Sequence, residues 1–152
     1  MLSLVYFLVS FLSPADAPDV GVTGIFLTID CRRDIPRKHE MLTTKTVCLT
    51  QSPIIQPKDF SAIGPIREVG ANMYFDLSFT PKGHQTLIKL TANLPDSQLA
   101  LVVNDEVFFV FKSSELKVAP TFRFQAAVKY RSTMESVHKH LIKIKDSTAS
   151  DL

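Results

Sequence analysis

The side chains able to do chemistry are few in this sequence, and their spacing does not join them into a site. The histidines are His39, His84, His138 and His140. His138 and His140 stand two apart, which on a helix turns them to different faces, so they form neither a zinc pair nor a His-Glu-x-x-His motif. Both are read as surface residues, and His84, beside a predicted helix start, as exposed. Asp76 and Asp59 are carboxylates near regular elements, but nothing in the sequence sets a second carboxylate beside either, as general acid–base catalysis requires. No serine lies in a Gly-x-Ser-x-Gly elbow, and there is neither a phosphate-binding loop nor a dinucleotide fingerprint. The sequence therefore predicts no catalytic residue, no cofactor and no metal ligand.

Two other groups of residues invite a role. Cys31 and Cys48, the only cysteines, each sit at or near the end of an apolar strand-like run and could meet across a strand pair. They read either as a disulfide formed in an oxidising compartment or as two buried free thiols; without a matching pair of histidines they do not make a zinc site. The run Phe108-Phe109-Val110-Phe111 also has two readings. It packs a core on both faces of a central strand, or Phe108, Phe109 and Phe111 line an apolar groove or sheet edge that holds an extended polypeptide by β-addition.

The elements that must position these residues follow from periodicity. Gly24 to Asp30 alternates, with Ile25, Leu27 and Ile29 on one face of a strand; Cys31 to Thr44 reads as a long polar loop, and Lys45 to Thr50 as a short strand. Pro57 to Phe60 opens a single helical turn, stopped before Gly64-Pro65. Met73 to Thr80 is the clearest strand, with Met73, Phe75, Leu77 and Phe79 on one side. Thr80 is placed to cap a helix that begins at Pro81 and ends at Pro95, and Gly83 in its first turn leaves room for close packing. Leu99–Val103 and Val107–Phe111 form a hairpin across Asn104-Asp105-Glu106. A strand over 121–128 puts Phe122, Phe124, Ala126 and Val128 on one face. Ser132-Thr133-Met134-Glu135 reads as a capping box for a helix with Met134, Val137, Leu141 and Ile144 on one stripe. The order predicts an α+β domain: an antiparallel or mixed sheet with helices packed on one face, as in ferredoxin-like folds.

The N-terminal segment reads as an export signal. Leu2 to Leu12 is uncharged and apolar, shorter than the ~20 residues a spanning helix needs. Ser13-Pro14 breaks it, and Ala15-Asp16-Ala17 supplies the small residues, Ala15 and Ala17, that signal peptidase reads. The run lacks a preceding Lys or Arg, and Pro18 would follow the cut. The expected organisation is a signal peptide or N-terminal anchor over 1–17, one α+β domain over 18–145 and a frayed tail over 146–152.

Composition bounds the rest. The chain has 152 residues, 45% of them apolar, with 11 Phe, no Trp and 5 Gly, which suits one folded domain and excludes low-complexity disorder. Its formal charge of +2 is too weak a field to imply nucleic acid or anionic lipid. The local basic cluster from Arg32 to His39 is interrupted by Asp34 and carries no interleaved aromatic, so it reads as a solvated loop.

Residues 75–107, FDLSFTPKGHQTLIKLTANLPDSQLALVVNDEV, resemble the periplasmic head of the SecD subunit of the protein-export translocase. The matching positions are Phe79, Thr80, Gly83, Leu90, Thr91, Leu99, Ala100, Val102 and Val107, in the family's order of strand, Thr-capped helix, Leu-Ala-x-Val strand and acidic turn. With a looser likeness over Val47 to Phe60, the resemblance covers about half of the chain, within roughly 47–118. The family's turn usually has Asp-Gly where this chain has Asn104-Asp105-Glu106, and the family's membrane helices have no counterpart here, so its motor activity is not implied. The resemblance implies a SecD-head-like, non-catalytic module of the periplasm or cell envelope. Its expected partner is protein or unfolded polypeptide, with no nucleic acid and no spanning segment, and oligomeric state left open. The competing classes are a small-molecule-binding or enzymatic domain that shares only the fold, and a structural secreted protein.

Overall fold

The computed structural model describes residues 21–43, 45–116 and 119–150; the expected signal segment, with Ala15 and Ala17, lies outside them. The described residues form an α+β domain of antiparallel sheets and two helices. One sheet was the expectation from sequence. Instead the strands divide between two, because the Phe-rich run offers two apolar faces and each needs a cover.

The first sheet has the order β2 (Lys38–His39), β3 (Thr46–Leu49), β1 (Gly24–Ile29), β7 (Gln98–Val103) and β8 (Glu106–Lys112), with every pair antiparallel. It curls until its ends meet: Glu40 forms a parallel bridge with Val107, and Met41 N–H donates to Val107 C=O at 2.8 Å. β2 corrects the reading of Cys31 to Thr44 as loop throughout. A two-residue strand has no readable period, and it exists because β3 supplies its partner. Inside the curl lies a small core of Phe26, Val47, Ala100, Val102 and Val107. Phe26 is therefore buried although β1 was read as one-faced, while Ile29, assigned to its inner face, is exposed.

The β7–β8 hairpin turns on Asn104 and Asp105 alone, both at positive φ (52° and 67°), the pattern of a two-residue turn matched to strand twist. Glu106 already belongs to β8. A register shift opposite Leu101 and Val102 leaves Phe108 as a bulge, which brings Phe108 and Phe109 to the same side of the sheet.

The second sheet is built on β6 (Asn72–Phe79). β4 (Phe60–Ile63) and β5 (Arg67–Val69) pair in turn along one side of it, and β9 (Thr121–Ala127) pairs along the whole of the other. The predicted helical turn is a 3₁₀ turn at Pro57–Asp59, after which the chain extends into β4. β5 carries no apolar alternation, since all three of its residues are exposed, and it was missed.

Met73, Phe75, Leu77 and Phe79 are buried, as their alternation predicted, and face Phe122, Phe124 and Ala126 on β9 and the inner face of the first sheet in one core. Both helices pack into that core. The first, α1 (Pro81–Asn93), starts as predicted: Thr80 Oγ1 accepts the Gly83 N–H at 3.2 Å, and Pro81 takes the first position, where no N–H is missed. Gly83 is buried, and a Cβ there would stand 3.0 Å from both Cβ and the carbonyl oxygen of Asp59. The second, α2 (Arg131–Ala149), buries Met134, Val137 and Leu141. Its N-cap is Tyr130, with no side-chain cap, so the predicted capping box is absent; the 3₁₀ turn Val128–Tyr130 runs into the helix and puts Ser132 inside the first turn. The helix also continues through Asp146 to Ala149.

The resemblance positions Phe79, Leu99, Ala100, Val102 and Val107 are buried. Leu90 is half-buried against the core, and Thr91 Oγ1 donates to the Leu87 carbonyl at 2.9 Å.

Candidate functional site

β8 and β9 each border a sheet, and their outer backbone groups meet different fates. On β8 the outward N–H groups are taken. Val110 N–H donates to Glu40 Oε1 and Lys112 N–H to Glu115 Oε1, both at 3.0 Å. Val107 C=O is occupied by Met41, as above. Glu40 is only 7% exposed, and its second oxygen accepts the Thr43 hydroxyl.

On β9 the register fixes which groups face out. The ladder with β6 ends in Phe79 N–H to Pro120 C=O (2.9 Å) and Val128 N–H to Ala71 C=O (2.9 Å). In an antiparallel pair hydrogen-bonded positions alternate, so Phe122, Phe124 and Ala126 bond β6. The backbone groups of Thr121, Arg123, Gln125 and Ala127 point away from it. Among the described residues no strand or side chain pairs with that outer side.

The side chains along β9 leave the edge uncharged in effect. Thr121, Arg123 and Gln125 are exposed on the solvated face. Arg123 is drawn back over β6: Nε and Nη2 donate to the two carboxylate oxygens of Asp76 at 2.8 and 3.0 Å, and its guanidinium lies 4.0 Å from the centre of the Tyr74 ring. Those hydrogen bonds hold the Asp76 carboxyl below its ordinary pKa, helped by the charges of Arg123 and Arg67 against the effect of burial. The same contact raises the Arg123 pKa.

The aromatic run divides on inspection. Phe108 and Phe111 are buried, so the reading that opens them to a polypeptide is corrected; they pack the core. Phe111 stacks on Phe122 with centroids 4.6 Å apart. Phe109 alone is half-buried, its ring edge-on to Phe124 of β9 at 5.6 Å. It is the aromatic of the run that borders the β9 edge and remains accessible.

The other chemical candidates stay apart. Cys31 and Cys48 form a disulfide, with Cα atoms 5.2 Å apart. His138, read as a surface residue, is half-buried: its Nε2 donates to the Gly64 carbonyl at 2.7 Å, and its ring meets Phe75 edge-on. His84 is half-buried in the first turn of α1, and His140 Nε2 is buried without a hydrogen-bond partner among the described residues. Among those residues no group of His, Cys, Asp or Glu could hold a metal, and no helix is long and apolar enough to cross a membrane.

A cavity of about 530 Å³ opens beside the small core, floored by Phe26, Leu49 and Val102 and walled by Asp34, Ile35 and Pro36. It is on the far side of the first sheet from Phe109, since Phe26 and Val102 belong to the small core and Phe109 packs against the large one.

The free edge of β9 had no sequence signal, because alternation announces a strand and says nothing of its neighbours. Comparison with family models, curated proteins and solved structures gives no match.

Proposed function

We propose that the chain is an exported, non-catalytic module of SecD-head-like character that binds extended polypeptide segments. The observation that carries this reading is the outer side of β9, where three successive outward positions, Thr121, Arg123 and Gln125, offer N–H and C=O groups with no partner among the described residues. An extended segment laid there would continue the ladder of β6 and β9. The bonds would come from its backbone, so sequence preference would be weak, as suits a partner that is any unfolded chain. Alternate side chains of the added strand would fall beside Phe109 on one face and beside Thr121, Arg123 and Gln125 on the other. The disulfide fits an oxidising compartment and so supports export.

The test is a proline at an outward position. Gln125→Pro removes an N–H that makes no bond to β6, a place where an edge strand tolerates proline. Reduced, carboxymethylated α-lactalbumin, a soluble unfolded chain, is the probe. Wild-type protein should bind it with slowed amide exchange at Arg123 and Gln125, and the proline variant should keep its circular dichroism and lose binding. If the bound chain leaves exchange along β9 unchanged, the edge is not the site.

A further inference from the structure

We propose that the cavity beside the small core is a second binding site, for a small amine with an apolar body. The inference is independent of the β9 edge. Its volume of about 530 Å³ is in the range of sites that hold small organic ligands, roughly 300–1,000 Å³. Phe26, Leu49 and Val102 give it an apolar floor, and Ile35 and Pro36 an apolar wall.

The polar rim sets the sign of the ligand. Lys38 Nζ is already engaged, donating to the Asp105 carbonyl at 2.7 Å. Asp105 Oδ1 accepts the Val22 N–H at 2.9 Å. The Asp34 carboxylate lines the same cavity and makes no hydrogen bond or ion pair among the described residues. Two carboxylates thus face one ammonium, and the group left without a partner is an acceptor. A ligand with an ammonium or N–H beside an apolar body satisfies Asp34; an anion meets repulsion. The adjoining hollow shares Asp34 and Ile35 with the first cavity and sets Asp30 and Asp34 against Arg32 and Lys45, so its charges balance, whereas the first cavity sets Asp34 and Asp105 against Lys38.

The wall is held at both ends before any ligand arrives. The disulfide ties Cys31 to Cys48 on β3, and Lys38 pairs with Val47 one residue away on the same strand. A loop fixed in this way loses little freedom on binding, which favours affinity.

Dansylcadaverine, a fluorescent primary amine, and 1-anilinonaphthalene-8-sulfonate, an anion of similar ring size, test the assignment on the full chain. The amine should bind saturably at one site, and the anion at least about tenfold more weakly, 1.4 kcal/mol in free energy. Leu49→Trp, which fills the floor, should abolish amine binding, with circular dichroism confirming the fold. Asp34→Asn, a change at an exposed residue, should weaken it about fivefold or more, as expected for loss of one charge partner near a surface. Absence of saturable amine binding, equal affinity for the two dyes, or affinity unchanged in either variant would overturn the proposal.

Discussion

β8 and β9 each border a sheet and send rings into one aromatic core, yet one edge is guarded and the other bare. The guard on β8 is made of side chains: Glu40 and Glu115 accept its outward N–H groups, and Met41 donates to its carbonyl at Val107. The opposite border of the second sheet is protected differently, broken into the short strands β4 and β5 with a register shift between Phe60 and Ala62. Charges, short strands and bulges are common defences against edge-to-edge pairing. β9 has none of them. It is seven residues long, regular in register, free of proline, and its single charge is turned inward onto Asp76. In a fold that defends its other borders, a bare one is the natural place for a partner.

Phe124 is where the two edges are joined, since its ring contacts Phe75, Phe108, Phe109, Phe111 and Phe122. Phe124→Ala should break the comparison outright by loosening both strands. A loss of about 3–5 kcal/mol is expected for a fully buried phenylalanine, read as a lower midpoint in guanidinium unfolding. A loss under about 1 kcal/mol would mean that the sheets do not depend on one another.

The disulfide bears on the guarded edge alone. It closes a sequence separation of 17 residues, for which loop entropy gives about 3 kcal/mol. It anchors the segment that leads through β2 to Glu40. Replacing both cysteines by serine should lower stability by about that amount and speed amide exchange at Val110, while exchange at Arg123 and Gln125 stays as it was. Equal acceleration on both strands would show that the guard is not local.

Glu40→Ala removes the guard itself. Val110 N–H and the Thr43 hydroxyl lose their acceptor, at a cost of about 1–3 kcal/mol. The newly bare β8 then adds a second open edge to that of β9, so concentration-dependent sedimentation should exceed that of wild type. Glu40→Gln keeps an acceptor oxygen and should sediment as wild type does under the conditions where Glu40→Ala differs from it.

Much of this arrangement could be read from the residues, and the parts that could not have a common cause. β6 was legible because four inward side chains alternate without exception, and the start of α1 because Thr80-Pro81 carries its capping chemistry locally. The β7–β8 hairpin was legible from two β-rich runs and a turn. What escaped depended on partners distant in sequence. β2 is two residues that become a strand only against β3, and β5 is wholly exposed. Glu40 contacts Val110 across 70 residues. His138 was misread because its partners, Gly64 and Phe75, come from elements that no helical period reveals. The capping box failed because Val128–Tyr130 had already begun to turn. The candidate site is least legible of all, since an edge is defined by the neighbour it lacks.

The smallest expected effect concerns the charge on the bare edge. Arg123 hydrogen bonds hold Asp76 below its ordinary pKa, so the carboxylate favours the folded state above its unfolded value of about 3.9, and that contribution disappears as pH falls through the lower folded value. The pair is exposed, with Arg123 at 54% and Asp76 at 34% of full side-chain accessibility, so screening keeps the contribution small. Glu68 is likewise held below its ordinary value by its hydrogen bond to Arg131. The difference between wild type and Asp76→Asn, followed by acid unfolding at low and high salt, therefore isolates the pair. Wild type should be slightly the more stable above about pH 4, with the gap closing below it and shrinking in salt. The functional consequence is sharper than the energetic one. Once Asp76 is neutral, Arg123 is released along β9, and binding of a cationic unfolded chain should weaken relative to an anionic one. If the two chains bind Asp76→Asn in the same ratio as wild type, the turned-in arginine is not what keeps this edge neutral.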